Sequence, residues 1–408
     1  MYAQDFANDV DRTGSYHAAG LALIAVALLL SGIVMVASTS TSLDVGLPLW
    51  PVWKAPAGRQ CIFAVMGMLA MAATYRVAPA VLARPRVARG VAIVLFGVAV
   101  TGLLAVWVTS LGAARHGSRR WLGGGPAWMG LAFQPSEFTK LAMVACLAAL
   151  LGGAERGVSD RTRYPFGADR SPRRRLLAAA IVIAASVGLV GIADFGTAAL
   201  LGVVGGLVLL VAGCPWRYLL ATLGAGVAGL AGLFYLEPYR MKRITSFLHL
   251  WDHARDIAYH PVQSLVTIAS GGWTGVGLGA GVQQHGYLPE SRTDFIFSVI
   301  CEETGVLGGC LIIALYAAFV WISLRTVLGA RSGFERLLAF GVAVTFALQA
   351  VMNIAVVTVS APTTGISLPL VSAGGSGIVC FCAAIGLLGA VARRGGEAGP
   401  APAAQPVP

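Results

Sequence analysis

The stretch Ala18-Ala-Gly-Leu-Ala-Leu-Ile-Ala-Val-Ala-Leu-Leu-Leu-Ser-Gly-Ile-Val-Met-Val-Ala37 contains no charged side chain and a single hydroxyl. A helix rises about 1.5 Å per residue, so a run of roughly 20 residues matches the ~30 Å hydrocarbon thickness of a bilayer. The run shows neither the alternation of a half-buried strand nor the one-sided stripe of a soluble amphipathic helix. It reads as a transmembrane helix. Comparable blocks follow near residues 61–75, 91–111, 138–154, 176–193, 195–213, 218–235, 295–323, 338–359 and 376–392. The expected fold is therefore an all-α polytopic membrane protein of about ten transmembrane helices. A large extracytoplasmic loop, residues 236–294, separates the seventh from the eighth.

Composition agrees. Of 408 residues, 57% are hydrophobic and 12% are charged, with a mean hydropathy of +0.77. Soluble domains carry about 25% charged residues, so this chain has too few polar groups to cover several of them. The expected organisation is a cytoplasmic N-terminal segment (1–17), a membrane domain (18–394) and a Gly-, Ala- and Pro-rich disordered tail (395–408). The first block is not a cleaved leader, because Asp5, Asp9 and Asp11 stand where a basic region would be needed.

The formal charge of +11 raises nucleic acid as a partner. Its distribution points elsewhere. With ten spans both termini lie on one side, and most arginines then fall in that side's segments: Arg76, Arg84, Arg86 and Arg89, the cluster from Arg156 to Arg175, and Arg393 and Arg394. That is the positive-inside pattern, so both termini are expected in the cytoplasm. No basic stretch interleaves with stacking aromatics, and no nucleic-acid partner is expected. The seven cysteines form no CxxC pair and read as small packing residues, and no metal site is placed.

Charges at membrane depth each need an explanation, since one costs roughly 2.5–3.5 kcal/mol on insertion scales. Glu137 and Lys140 share a helical face at the outer start of the fourth block. They either neutralise each other or line a polar cavity. Asp194, between the fifth and sixth blocks, either caps the sixth helix or serves a site, and the two roles can coexist. Asp294 ends the long outer loop directly before the eighth block, where partial desolvation would raise its pKa towards that of a useful base. Glu302 follows about two turns deeper and nearer its face. The outer loop also holds Gly275-Val-Gly-Leu-Gly-Ala-Gly281, which is either flexible or brings backbone close to another element.

Five segments in order resemble the SEDS family (shape, elongation, division and sporulation). They are Gly117-Ser-Arg-Arg-Trp121 with Phe133-Gln-Pro-Ser-Glu-Phe-Thr-Lys140; Asp194-Phe-Gly-Thr197; Gln263-Ser264 with Ser270-Gly-Gly272; Tyr287 through Gly305; and Pro362 through Ser376. Tyr239 through Leu248 and Tyr287-Leu-Pro-Glu290 are more similar to the family's division branch than to its elongation branch. The chain departs from the family pattern at Ala193, His249-Leu250, His260-Pro261-Val262, Arg292 and Ala373.

The resemblance implies a peptidoglycan glycosyltransferase that polymerises lipid II into glycan strands at the outer membrane face. It implies Asp294 as the catalytic base and substrate contact through Glu137, Lys140, Arg119, Arg120, Asp194, Gln263, Ser264, Glu290 and Ser372. Arg240, Lys242 and Arg243 are lower-ranked cations for the departing diphosphate. A divalent cation, Mg or Mn, fits that chemistry, although no DxD sequence places it. The expected partners are lipid II, the nascent strand, a class B penicillin-binding protein that crosslinks it, and other division or elongation membrane proteins. Two other readings stay open: a lipid II flippase, and a division scaffold without activity.

Overall fold

The computed structural model describes residues 2–41, 55–109, 112–115, 118–123, 133–152, 172–236, 238–283 and 287–396. Twelve helices run through them: α1 (Tyr2–Thr41), α2 (Pro56–Leu82), α3 (Pro85–Val108), α4 (Pro135–Leu151), α5 (Pro172–Gly191), α6 (Phe195–Val211), α7 (Trp216–Leu236), α8 (Pro238–Leu248), α9 (Tyr259–Gly271), α10 (Ile296–Gly329), α11 (Gly333–Val357) and α12 (Gly375–Gly396). Each of the ten apolar blocks lies on one of them, while α8 and α9 belong to the long loop. Seven are long and apolar enough to cross a membrane, and α6 is a shorter apolar helix.

Local sequence sets the boundaries. Prolines open α2, α3 and α4, where the missing N–H has no intrahelical partner to lose. Ser332 caps α11 by accepting from the Glu335 N–H at 3.2 Å. Two details differ from the sequence expectation. The loop after α3 forms a small antiparallel hairpin of β1 (Gly112–Arg115) and β2 (Ser118–Leu122), so the chain is not wholly helical. In addition α1 begins at Tyr2, so the segment ahead of Ala18 continues the first helix. The inner loop at 153–171 and the tail from 397 lie outside the described residues.

Two helices organise the core. α12 packs along α1 and α2, and Gly386 lies so close to the Met71 carbonyl that a Cβ would not fit. α4 is only 17 residues long, but nearly all its side chains are buried among α3, α5, α6, α11 and α12. A short helix enclosed by longer ones need not match the bilayer thickness by itself. It delivers Glu137 and Lys140 to the interior.

Candidate functional site

Two polar clusters lie in the bundle. The first is built on α4. Lys140 Nζ sits 2.7 Å from Glu137 Oε1 and donates to Gln349 Oε1 of α11 at 2.6 Å, while the Gln349 amide donates to the Ser367 carbonyl at 2.9 Å. The ammonium also stands 5.1 Å from the Phe381 ring centroid. Both ions are buried, and Gly377 leaves the room that Glu137 occupies. The pair borders a small, largely aliphatic pocket with Leu141, Val144, Val342, Thr345 and Phe381. The neutralising pair and the cavity lining are therefore the same structure. Lys140 has its ligands already.

The second cluster faces the outer loop. Asp194 is buried and caps α6, accepting from Thr197 N and Thr197 Oγ1 at 3.0 Å each. Its Oδ2 also meets Arg120 of β2 at 3.3 Å. Capping and ion pairing coexist. Arg120 and Asp194 border a second small pocket, walled by Leu103, Val106 and Trp107 of α3 and by Leu189 and Val190 of α5.

Asp294 is half-buried in the turn before α10. Its backbone is fixed from three directions. Asn353 of α11 donates to the Asp294 carbonyl at 2.7 Å and to the Ile366 carbonyl at 2.8 Å. Ser372 Oγ donates to the Thr293 carbonyl at 2.6 Å, and Ala373 N donates to the Arg292 carbonyl at 2.9 Å. The carboxylate lies over Gly365, whose φ of 73° is a conformation that favours glycine. Burial pushes the Asp294 carboxyl up to about 6, and the negative charges of Glu290 and Asp194 push the same way. Arg120 and Arg243 oppose them. Among the described residues no cation lies at salt-bridge distance from Asp294. It is an acid on which two other acids and two arginines act electrostatically in opposite senses.

The remaining expected residues divide. Glu290 is exposed, with φ 55°, and accepts from Thr293 Oγ1 at 2.8 Å beside the site. Ser264 is fully buried and bonds Ser298 Oγ at 2.7 Å and the Val357 carbonyl at 2.6 Å, so it fastens α9 to α10 and α11. Ser372 fastens the turn that carries Asp294, as described. Gln263 is half-buried on α9. The side chains of Arg119, Arg240 and Lys242 lie outside the described residues. Among the departures, Arg292 donates to the Thr39 carbonyl at 2.8 Å, which ties this turn to the end of α1. His260 stacks on Phe295 at 6.1 Å between ring centroids, and burial lowers its pKa. No group of three His, Cys, Asp or Glu side chains converges among the described residues. Asn353 and Gln349 were not singled out from the sequence. Their signal was present: two amides four residues apart on one face of an apolar helix.

Residues 19–396 match the model of the FtsW/RodA/SpoVE cell cycle proteins. The chain belongs to this family. It is 38% identical over 389 residues to a probable peptidoglycan glycosyltransferase FtsW of Thioalkalivibrio sulfidiphilus, covering 93% of this chain and 90% of that one. It is 36% identical over 292 residues to the stage V sporulation protein E of Bacillus subtilis, covering 71% and 76%. Among solved structures, a chain from a peptidoglycan synthase complex that coordinates polymerization and crosslinking superposes with a TM-score of 0.70 at 26% identity, over 92% of this chain and 97% of that one. The rod shape determining protein RodA of Thermus thermophilus superposes with a TM-score of 0.61 at 26% identity, over 92% and 96%. The membrane fold inferred from hydropathy is the fold of this family.

Proposed function

We propose that this chain is a peptidoglycan glycosyltransferase that polymerises lipid II at the outer face of the bacterial cytoplasmic membrane, with Asp294 as general base. Its relatives are named for the transferase activity. The observation that carries the assignment of the base is the setting of Asp294. It lies at the outer end of α10, ahead of the apolar span, with no close cation among the described residues and a pKa pushed up to about 6. A carboxylate so placed is ionised at neutral pH yet basic enough to take a proton.

The step forms a bond between an acceptor 4-hydroxyl oxygen and the donor's anomeric carbon. The bond from that carbon to the lipid diphosphate breaks, and Asp294 takes the hydroxyl proton. Negative charge grows on the departing diphosphate, and preorganised cations lower that barrier. Arg120 and Arg243 suit this role, since both act electrostatically on Asp294. Lys140 suits it less, being held by Glu137 and Gln349. A divalent cation would supply the same stabilisation, and Asp194 and Asp294 are the carboxylates nearest the chemistry.

Ten crossings with both termini in the cytoplasm agree with the arginine distribution, and seven of the ten helices that carry the apolar blocks are long and apolar enough to cross a membrane by themselves. A class B penicillin-binding protein is the expected partner, since the solved relative works in a complex that coordinates polymerization with crosslinking. The direct test uses purified chain, lipid II and a gel that resolves glycan strands. The native protein makes polymer and Asp294→Asn makes none. Polymer from the variant at the native rate removes Asp294 from the role.

A further inference from the structure

The long outer loop has two chemically distinct halves. From Glu237 to Asp256 it carries Glu237, Arg240, Lys242, Arg243, Asp252, Arg255 and Asp256. Between Tyr259 and Pro289 it holds no Asp, Glu, Lys or Arg. A loop bathed in water has no reason to exclude charge over such a length.

The charge-free half is also built rigidly. After α9 the chain turns through Gly272, Gly275, Gly277 and Gly279, all with positive φ. α10 is broken at Gly305 (φ 73°, ψ −174°), and the loop bonds to the break. Val276 N and Gly277 N donate to the Glu302 and Glu303 carbonyls at 3.0 Å each, and Val306 N donates back to the Gly272 carbonyl at 3.0 Å. The buried Glu302 carboxylate accepts from Val282 N at 2.9 Å and Gln283 N at 3.2 Å. A Cβ at Gly271, Gly275 or Gly305 would overlap the carbonyl of Cys301, Glu303 or Trp273 respectively. The glycines thus serve close backbone contact rather than flexibility.

This platform displays apolar side chains outward. Trp273 is 75% exposed, Leu278 64% and Val282 59%, with Val276 beside them. The first residues of α10 beyond the break, Val306 and Leu307, are exposed as well and begin that helix's long apolar outer face. From Val306 to Gly329 the helix rises about 36 Å, enough to cross the hydrocarbon, so the break and the loop bonded to it stand at its outer boundary. Non-helical backbone is tolerated at such depth only where protein satisfies its polar groups, and α10 does so here. Tryptophan is the side chain that favours this boundary.

We infer that the loop from Trp273 to Val282 is an interfacial membrane anchor, its apolar side chains seated in the outer leaflet among the lipid headgroups and upper acyl chains. The occupant is lipid, because the displayed surface continues directly into the lipid-facing side of α10. The anchor fixes the height of the outer end of α10 above the bilayer. It does not depend on the enzymatic reading.

The test uses the full chain in phosphatidylethanolamine–phosphatidylglycerol nanodiscs without any partner protein. Phospholipids carrying a photoactivatable diazirine either high or low on the acyl chain are irradiated, and labelled peptides are mapped by mass spectrometry. The shallow probe is expected to label residues 273–282 several-fold more than the deep probe, and the deep probe to label the middle of α10. Hydroxyl-radical footprinting is expected to find Trp273 protected in the same discs. Leu278→Asp, at a position 64% exposed, should lower shallow labelling of the loop several-fold and leave α10 labelling unchanged. Free oxidation of Trp273 with no labelling of the loop overturns the proposal. So does protection that appears only when a partner protein is added.

Discussion

Glu137 and Asp294 are both carboxylates at the start of helices in the bundle, and their surroundings have opposite consequences. Glu137 has a lysine at 2.7 Å on its own helix, and that lysine is held in turn by Gln349. Asp294 has no cation at salt-bridge distance among the described residues, and burial, helped by Glu290 and Asp194, drives its pKa up to about 6. The first arrangement removes a charge from the interior and leaves little to react. The second leaves an acid whose proton can be exchanged at physiological pH. Burial by itself does not distinguish these two carboxylates; the presence of a close counter-ion at Glu137 does.

The strongest break of this contrast is Asp294→Asn, which keeps shape and removes the base. Loss of general-base catalysis is worth about 10²- to 10⁴-fold in rate, read as glycan formed per unit time. The same change should stabilise the fold at neutral pH. An acid raised from 3.8 to about 6 binds its proton more tightly folded than unfolded, so its ionisation costs stability above pH 6. The advantage of the variant should shrink as pH falls through 6 and vanish below about 3.8. Melting curves at pH 4 and pH 8 measure it. A variant equally stable relative to the native chain at both would contradict the raised pKa.

Lys140→Met reverses the pattern by stranding Glu137. Removing one partner of a buried ion pair costs roughly 3–5 kcal/mol, so a steep fall in melting temperature is expected. Adding Glu137→Gln should restore most of it, because the uncompensated charge is then gone. Failure of the double variant to recover would mean that Lys140 does more than neutralise Glu137. A third measurement leaves the sequence intact: the acid limb of the native rate profile should centre near pH 6 and fall about tenfold per unit below it.

The two regions also differ in how far the sequence disclosed them. Every apolar block proved helical, because the bilayer demands a long uninterrupted run and composition records it. Asp194, Arg120 and Asp294 stood out because a charge in an apolar chain is conspicuous. Asn353 and Gln349 did not, although they orient Asp294 and Lys140, since uncharged amides barely disturb a hydropathy profile. The break at Gly305 was invisible for a related reason: it lies inside a continuous apolar run, and its cause is a positive φ opposite Trp273. The β1–β2 hairpin is too short for alternation to announce it. The resemblance implied Ser264 and Ser372 as substrate contacts, and linear order did not disclose that their hydroxyls also bond backbone and side-chain partners within the fold.

The smallest effect is the finest probe of the outer cluster. Glu290 is exposed, and its charge is one of two that raise the Asp294 pKa. Glu290→Gln keeps an oxygen that can accept from Thr293 and removes only the charge. The acid limb of the rate profile should then move down by a fraction of a pH unit, so the variant outperforms the native chain slightly at pH 5 and matches it near pH 8. His260 complicates the reading, because the same glutamate raises its pKa against the effect of burial. Repeating the substitution in a His260→Gln background separates the two. A shift that persists there belongs to Asp294 and confirms that the like charge of Glu290 tunes the base. A shift that disappears assigns the limb to His260 and removes Glu290 from the tuning of Asp294.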